Sequence, residues 1–222
     1  MFLLDRVKMA AGSISSAEFN DLVVKMIEVS ARINDTWDLR NSPRDAAEVY
    51  MEKVTLAKDR CSPVSEIATK EESVDVHLGD DTDMEDADPS CIQPSLDQSS
   101  FVRCQFHVLY SHSYSVPVLF FNICRPDGKR LGLEEVWRRV PKEYQDRIQD
   151  HKWATITQQE HPYLGTPFFT LHPCHTASLM SQVPDATDTR YYLIKWLSSV
   201  GPVVGLQLPP AYATSFDATG KT

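Results

Sequence analysis

The sequence predicts an α+β fold, an antiparallel sheet with helices segregated to its ends and to one face. Two patterns carry this prediction. Apolar residues recur three or four positions apart in residues 15–34, as in an amphipathic helix, and they alternate with polar residues in parts of residues 101–124, as in strands. With 222 residues and a hydrophobic content of 42%, the chain has the size and composition of a single domain spanning residues 1–222.

The composition argues against several classes of protein. A net charge of −9 and the lack of a Lys/Arg-rich cluster argue against nucleic acid as a partner, because binding requires that basic groups neutralise phosphates. No apolar run approaches the ~20 residues that a membrane-spanning helix needs, so no integral membrane segment is expected. The apolar start is interrupted by Asp5 and Arg6, unlike a secretory signal. We therefore expect a cytoplasmic location.

The first predicted element is a helix over residues 15–34. Ser15 or Ser16, shortly before Glu18, is typical of a helix start that a serine side chain caps. The apolar positions of this segment are Phe19, Leu22, Val23, Met26, Ile27, Val29 and Ile33. After Trp37, the turn-rich residues 41–45 lead into a strand predicted over residues 49–56.

An acidic segment follows over residues 62–100. It is rich in Asp, Glu, Ser, Thr and Pro and has few bulky apolar residues, so it buries too little surface to offset the entropy of ordering. We interpret it as a disordered acidic insertion. The alternative is an acidic docking strip for a basic partner.

The strongest strand pattern lies in residues 101–124. Phe106, Val108 and Tyr110 alternate, and after a short polar break residues 116–123 are apolar again, which predicts two adjacent antiparallel strands. The second of these strands is a candidate sheet edge, open to a partner by strand addition.

The remaining elements follow in order. A turn at residues 126–129 precedes a helix over residues 133–140, which Pro141 ends. A strand is predicted over residues 153–159, a short apolar run over 168–171, and helices over 176–183 and 189–200. The large aromatic residues of this half are expected in the core rather than at an interface: Trp153, Phe168, Phe169 and Trp196.

The five cysteines do not form a disulfide framework. Their odd number and scattered spacing suit free thiols in a reducing compartment. Cys174 differs from the others because Pro173 restricts the backbone before it, His172 and His175 flank it, and a helix is predicted from Thr176. Spacing alone still leaves two interpretations open, a reactive thiol and an inert buried one.

Two other kinds of site use the same residues. His172, Cys174, His175 and His161 would be the ligands of a zinc site, but adjacent Cys174 and His175 cannot readily share one tetrahedral ion. A cysteine protease would need a base such as His161 or His112, and the local signatures of such proteases are absent. Both interpretations are weaker than a simple nucleophile.

Several runs of residues together resemble the autophagy-related protein ten family. They span residues 106–111, 114–119, 155–162, 164–165, 167–169, 171–174, 196–198 and 200–206. The resemblance covers the chain from about residue 101 to 209 and is weaker before it. It implies a core like that of ubiquitin-conjugating enzymes, with Cys174 as the cysteine that forms a thioester.

The resemblance also implies a reaction and its partners. The activating enzyme autophagy-related protein seven would load the modifier autophagy-related protein twelve onto Cys174, and a lysine of autophagy-related protein five would then take it, in support of autophagosome formation. No cofactor is implied, because the activating enzyme consumes the ATP. The alternatives are a non-catalytic binding module of the same fold and, third, a cysteine protease for the conjugate.

The group that stabilises the developing oxyanion is left open by the sequence. Ubiquitin-conjugating enzymes carry a His-Pro-Asn motif, whereas this chain has Tyr163 in place of the asparagine, after His161 and Pro162. The candidate supporting groups near Cys174 are His172, Asn122, Tyr114, Gln159 and a backbone amide.

Overall fold

The computed structural model describes residues 11–43, 48–59, 101–148, 155–183 and 189–217. The acidic segment 62–100 and Trp153 lie outside these ranges. In the described part, one antiparallel sheet has the strand order β1-β2-β3-β4-β6-β5. Its strands are β1 Trp37–Asn41, β2 Val49–Lys58, β3 Phe101–Ser111, β4 Val116–Cys124, β5 Ile156–Glu160 and β6 Pro167–Leu171.

The helices lie before, between and after the strands. They are α1 Ser16–Arg32, α2 Leu133–Arg139, α3 Lys142–Ile148, α4 Thr176–Gln182, α5 Tyr192–Val200 and α6 Ala211–Asp217, with 3-10 turns at Pro173–His175, Thr189–Tyr191 and Gly201–Val204. The predicted α+β class, an antiparallel sheet with flanking helices, is confirmed. Among the described helices, none is long and apolar enough to cross a membrane.

The start of α1 is the predicted serine cap. The Ser15 hydroxyl accepts a hydrogen bond from the Glu18 amide at 3.2 Å, and the Ser15 amide donates to the Glu18 carboxylate at 2.7 Å. This reciprocal pair satisfies two amides that the first turn of a helix otherwise leaves without partners. The buried side of α1 includes Phe19, Val23, Met26 and Val29 and packs into the main core.

The sheet is buried on two faces. One face packs with α1, α5 and α6 to form the main core, and the other carries a smaller group that we call the outer cluster: Tyr50, Leu109, Val118, Phe120 and Phe168. Because β4 is covered on both sides, Val116 to Ile123 are all buried and the strand has no polar alternation.

The interpretation of β4 as a sheet edge was wrong. It lies inside the sheet, where Phe121 pairs with Phe106 of β3 on one side and with Phe169 of β6 on the other. The edges are β1 and β5. The continuous apolar run is the mark of this interior position, since a strand buried on both faces needs apolar residues at every position.

Three elements were not predicted. In β1 only Trp37 is buried, so the strand has no apolar alternation to detect. The short helices α3 and α6 follow prolines and have only seven residues each, too few to show a clear apolar period. The predicted end of α5 is confirmed, since the α-helix stops at Val200 before the 3-10 turn Gly201–Val204.

Candidate active site

Cys174 lies in the short connection between the last strand of the sheet and a helix. β6 ends at Leu171, the 3-10 turn Pro173–His175 follows, and α4 begins at Thr176. Pro173 suits the first position of such a turn because its φ angle is already fixed and no amide hydrogen is lost. Cys174 is exposed, as a nucleophile must be, whereas Cys104 is buried and Cys124 is half-buried.

The imidazole of His172 determines the backbone of this turn. Its Nδ1 accepts a hydrogen bond from the Cys174 amide at 3.2 Å, so a neutral His172 carries its proton on Nε2. The ring of Tyr114 lies edge-on to the His172 ring with 5.6 Å between centroids. His172 is thus held from two sides, and the Cys174 amide is engaged rather than free to stabilise an oxyanion.

A groove of about 280 Å³ lies beside Cys174 on the face of the outer cluster. His172 and Pro173, the two residues that precede Cys174, form part of its wall, and Tyr114, Gln159 and Pro162 contribute to the rest. The structure therefore brings together three of the side chains that the sequence singled out, namely His172, Tyr114 and Gln159.

Asn122 is not brought to this groove. Phe120 pairs with Thr170, and continuing this antiparallel register places Val118 opposite His172. Asn122 lies four strand residues away from Val118, a distance of ~13 Å. The Asn122 side chain is buried and donates a hydrogen bond to the Pro167 carbonyl at 3.3 Å. It therefore anchors the start of β6, at the opposite end of the strand from Cys174.

His161 is fully buried under the groove rather than exposed as a base. Its Nδ1 accepts hydrogen bonds from the amides of Tyr163 and Leu164 at 3.2 and 3.3 Å. Its Nε2 lies 2.9 Å from Nδ1 of His107. Because both nitrogens have these partners, His161 fixes the loop that contains Pro162 and does not act on the thiol.

Sequence reasoning missed the rest of this network. Since Nδ1 of His161 accepts, we assign the His161 proton to Nε2, which donates it to Nδ1 of His107. Nε2 of His107 lies 3.1 Å from Nε2 of Gln105 and 3.5 Å from the Glu52 carboxylate. Glu52 also accepts from Arg40 at 2.8 Å and from Gln105 at 2.9 Å. The polar residues alternate with apolar ones along their strands, which is the pattern of an exposed face and gave no sign of burial.

Burial controls the protonation of the two histidines. The pKa of His161 is lowered to about 4, chiefly by burial and further by the neighbouring His107, while the Glu52 carboxylate opposes the shift. Burial also lowers the pKa of His107, although the Glu52 carboxylate opposes this shift. Burial alone would raise the pKa of Glu52, but the hydrogen bonds from Arg40 and Gln105 lower it. The pair is therefore neutral at pH 7 and Glu52 is ionised.

The alternative sites find no support in the described residues. The Nε2 atom of exposed His112 contacts the Glu48 carboxylate at 2.7 Å, so this imidazole already has a partner other than Cys174. Over the described ranges, no group of three or more His, Cys, Asp or Glu side chains is arranged to hold a metal ion.

Comparison with known proteins identifies the family. The family model described as "Autophagocytosis associated protein, active-site domain" matches residues 18–211. The human protein named ubiquitin-like-conjugating enzyme ATG10 is 38% identical over 215 residues, which cover 90% of this chain and 92% of the human one. The chain belongs to this family.

Other proteins are similar to this chain at lower identity. The Arabidopsis thaliana enzyme of the same name is 33% identical over 76% of each chain. An autophagy-related protein 3 from Meyerozyma guilliermondii is 26% identical over 83% of this chain and 61% of its own. A crystal structure titled "Autophagic E2, Atg10" aligns with 88% of this chain and 99% of its own at 14% identity and a TM-score of 0.48. The predicted enzyme class, a ubiquitin-like-conjugating enzyme, is confirmed.

Proposed function

We propose that Cys174 is the thioester-forming nucleophile of this conjugating enzyme. One observation carries the proposal: an exposed thiol lies in a constrained turn beside a groove lined by His172, Tyr114 and Gln159. The modifier is autophagy-related protein twelve, delivered by autophagy-related protein seven, and the acceptor is a lysine of autophagy-related protein five. We place this reaction in the cytoplasm, carried out by one domain spanning the chain.

The reaction consists of two acyl transfers. The Cys174 thiolate attacks the thioester carbonyl of the loaded activating enzyme, so a new sulfur–carbon bond forms and the thiolate of the activating enzyme leaves. The uncharged amine of the acceptor lysine then attacks the same carbonyl, an isopeptide bond forms, the amine loses a proton and Cys174 leaves as a thiolate. The groove serves mainly to position the amine, because thiolates leave readily.

The geometry ranks the candidates for stabilising the oxyanion. Tyr114 is first, because its ring lies against His172, and Gln159 is second, because it lines the same groove while its amide donates only a long hydrogen bond, 3.5 Å, to the Thr157 hydroxyl. Asn122 is last, since its amide is engaged with Pro167 at the other end of β6. We assign His172 a positioning role through its hydrogen bond to the Cys174 amide.

A charging assay tests the role of Cys174. The protein is mixed with the activating enzyme, the modifier and ATP, and the products are separated on a non-reducing gel. We expect an adduct that thiols cleave, that is absent in Cys174→Ala and that becomes a thiol-resistant oxyester in Cys174→Ser. Cys124→Ala is the matched control, because this half-buried thiol lies at the end of β4, and it should charge like the unmodified protein.

Two outcomes would overturn the proposal. An adduct that persists in Cys174→Ala would place the thioester on another residue. An unmodified protein that forms no adduct but still binds the modifier would favour the alternative, a non-catalytic binding module of the same fold.

A further inference from the structure

The segment of residues 12–15, which we call the N-terminal strap, crosses the molecule close to the candidate active site. The Tyr192 hydroxyl of α5 donates a hydrogen bond to the Gly12 carbonyl at 2.6 Å. The Tyr110 hydroxyl of β3 donates to the Ile14 carbonyl at 2.8 Å, and the Ile14 amide donates to the Ser115 carbonyl at 3.0 Å. The strap therefore joins a helix to the turn between β3 and β4.

Gly12 is the point at which the strap touches α4. Its φ angle is +84°, a conformation that glycine adopts readily. A Cβ atom at this position would overlap the Ala177 carbonyl oxygen and lie 2.7 Å from the Ser181 amide nitrogen. Both obstacles are backbone atoms of one helix, so no side chain can rotate away to make room. Any larger residue must push the strap and α4 apart.

The two sides of the groove depend on this contact. α4 begins immediately after the turn that holds Cys174, so a displacement of α4 is transmitted to the thiol. The Ser115 carbonyl, which the strap also binds, belongs to the residue directly after Tyr114, and Tyr114 lines the groove from the turn between β3 and β4. A single segment thus fixes Cys174 relative to the side chain that we rank first as its oxyanion donor.

We propose that Gly12 is a positioning residue for the transfer reaction, which sets the distance between the Cys174 turn and the Tyr114 turn. The inference rests on the proposed role of Cys174 as the thioester cysteine. Because displacement by ~1 Å can slow a positioned reaction about 10²-fold, Gly12→Ala should lower the rate of transfer about 10- to 100-fold.

The chain supplies a matched control for backbone strain. Gly128 has nearly the same φ angle, +83°, but no atom lies within 4 Å of the position that its Cβ would occupy. Gly128→Ala therefore adds the strain of a positive φ angle without the overlap. The difference between Gly12→Ala and Gly128→Ala isolates the close contact with α4.

The test measures transfer of the modifier from charged full-length protein to the lysine acceptor, below the melting temperature of every variant. Gly12→Ala should lower kcat about 10- to 100-fold relative to Gly128→Ala, with KM for the acceptor nearly unchanged. A purely structural role would lower the transfer rate of each variant only in proportion to its own folded fraction and would leave kcat per folded molecule unchanged. Tyr192→Phe, which removes only the hydrogen bond to the Gly12 carbonyl, should lower kcat several-fold and serves if Gly12→Ala does not fold.

The two proposals fail in different ways. If Gly12→Ala and Tyr192→Phe transfer the modifier at the rate of Gly128→Ala, the positioning role is overturned while the thioester on Cys174 stands. If Gly12→Ala does not fold and Tyr192→Phe transfers at the unmodified rate, the positioning role is also overturned. If the adduct forms without Cys174, both proposals fail together.

Discussion

At the scale of single residues, His172 fixes the nucleophile through its backbone. His172→Ala removes the acceptor of the Cys174 amide, so we expect about 1 kcal/mol less stability and about tenfold slower transfer. His172→Asn supplies an oxygen that can accept the same hydrogen bond and should restore most of the rate. Single-turnover discharge of the charged protein measures both. If His172→Asn transferred as slowly as His172→Ala, the imidazole ring rather than its acceptor atom would be what positions the nucleophile.

The donor to the oxyanion is also a question about single residues. Tyr114→Phe keeps the ring against His172 but removes the hydroxyl, and loss of one such donor costs ~10²–10³ in kcat. We expect a loss of at least tenfold in lysine discharge. Asn122→Ala should leave the rate of the folded protein unchanged and cost about 1–3 kcal/mol of stability, measured by chemical unfolding. If Asn122→Ala slowed discharge and Tyr114→Phe did not, Asn122 rather than Tyr114 would be the oxyanion donor.

At the scale of elements, the buried histidine pair joins the loop of residues 161–166 to β2 and β3. His161 faces His107, with Glu52 beyond it, and the rings of Tyr50 and Tyr163 lie at its sides. In the folded protein the pKa of His161 is about 4, against an ordinary value of 6.5. The unfolded chain therefore binds more protons between these values, and stability falls as pH falls.

This linkage gives a measurable pH dependence. The contribution of His161 is present above about pH 6.5 and is lost as the pH falls towards 4, which amounts to about 2 kcal/mol between pH 7 and pH 5. Urea unfolding at the two pH values measures it. His161→Gln should be less stable at pH 7 but should lose about 2 kcal/mol less on acidification. An identical loss in both proteins would assign the acid sensitivity to the carboxylates instead.

The elements also show where sequence reasoning works. The helix α1 and the strand β3 were predictable because their apolar residues recur with the period of the element, and β4 was recognised as a strand from its continuous apolar run. The edge strand β1 was not, since Trp37 is its one buried residue. The interior position of β4 was misjudged for a different reason. The pattern of apolar residues shows which faces of a strand are covered, but not whether both of its edges are hydrogen-bonded, because that depends on strands distant in sequence.

At the scale of the whole molecule, the candidate site was only half predictable. Cys174 and His172 are only two positions apart, so their local chemistry could be recognised from the sequence alone. Tyr114 comes from the turn between β3 and β4, Asn122 from β4 and Gln159 from β5. Which of them reaches the groove depends on how β4, β5 and β6 align in the sheet. The buried partnership of His107 with His161 spans 54 positions and left no local pattern.

Lys58 at the end of β2 pairs directly with Phe101 at the start of β3, although the two residues are far apart in sequence. The 42 residues between these partners replace a tight turn, yet the entropy of closing such a connection grows only with the logarithm of its length, by about 0.6 kcal/mol for each doubling. Relative to the four residues that join β3 to β4, the longer connection costs about 2 kcal/mol more. The junction between β2 and β3 is therefore a place where shortening or lengthening this chain by tens of residues should cost little free energy, while the sheet that carries the thiol keeps its register.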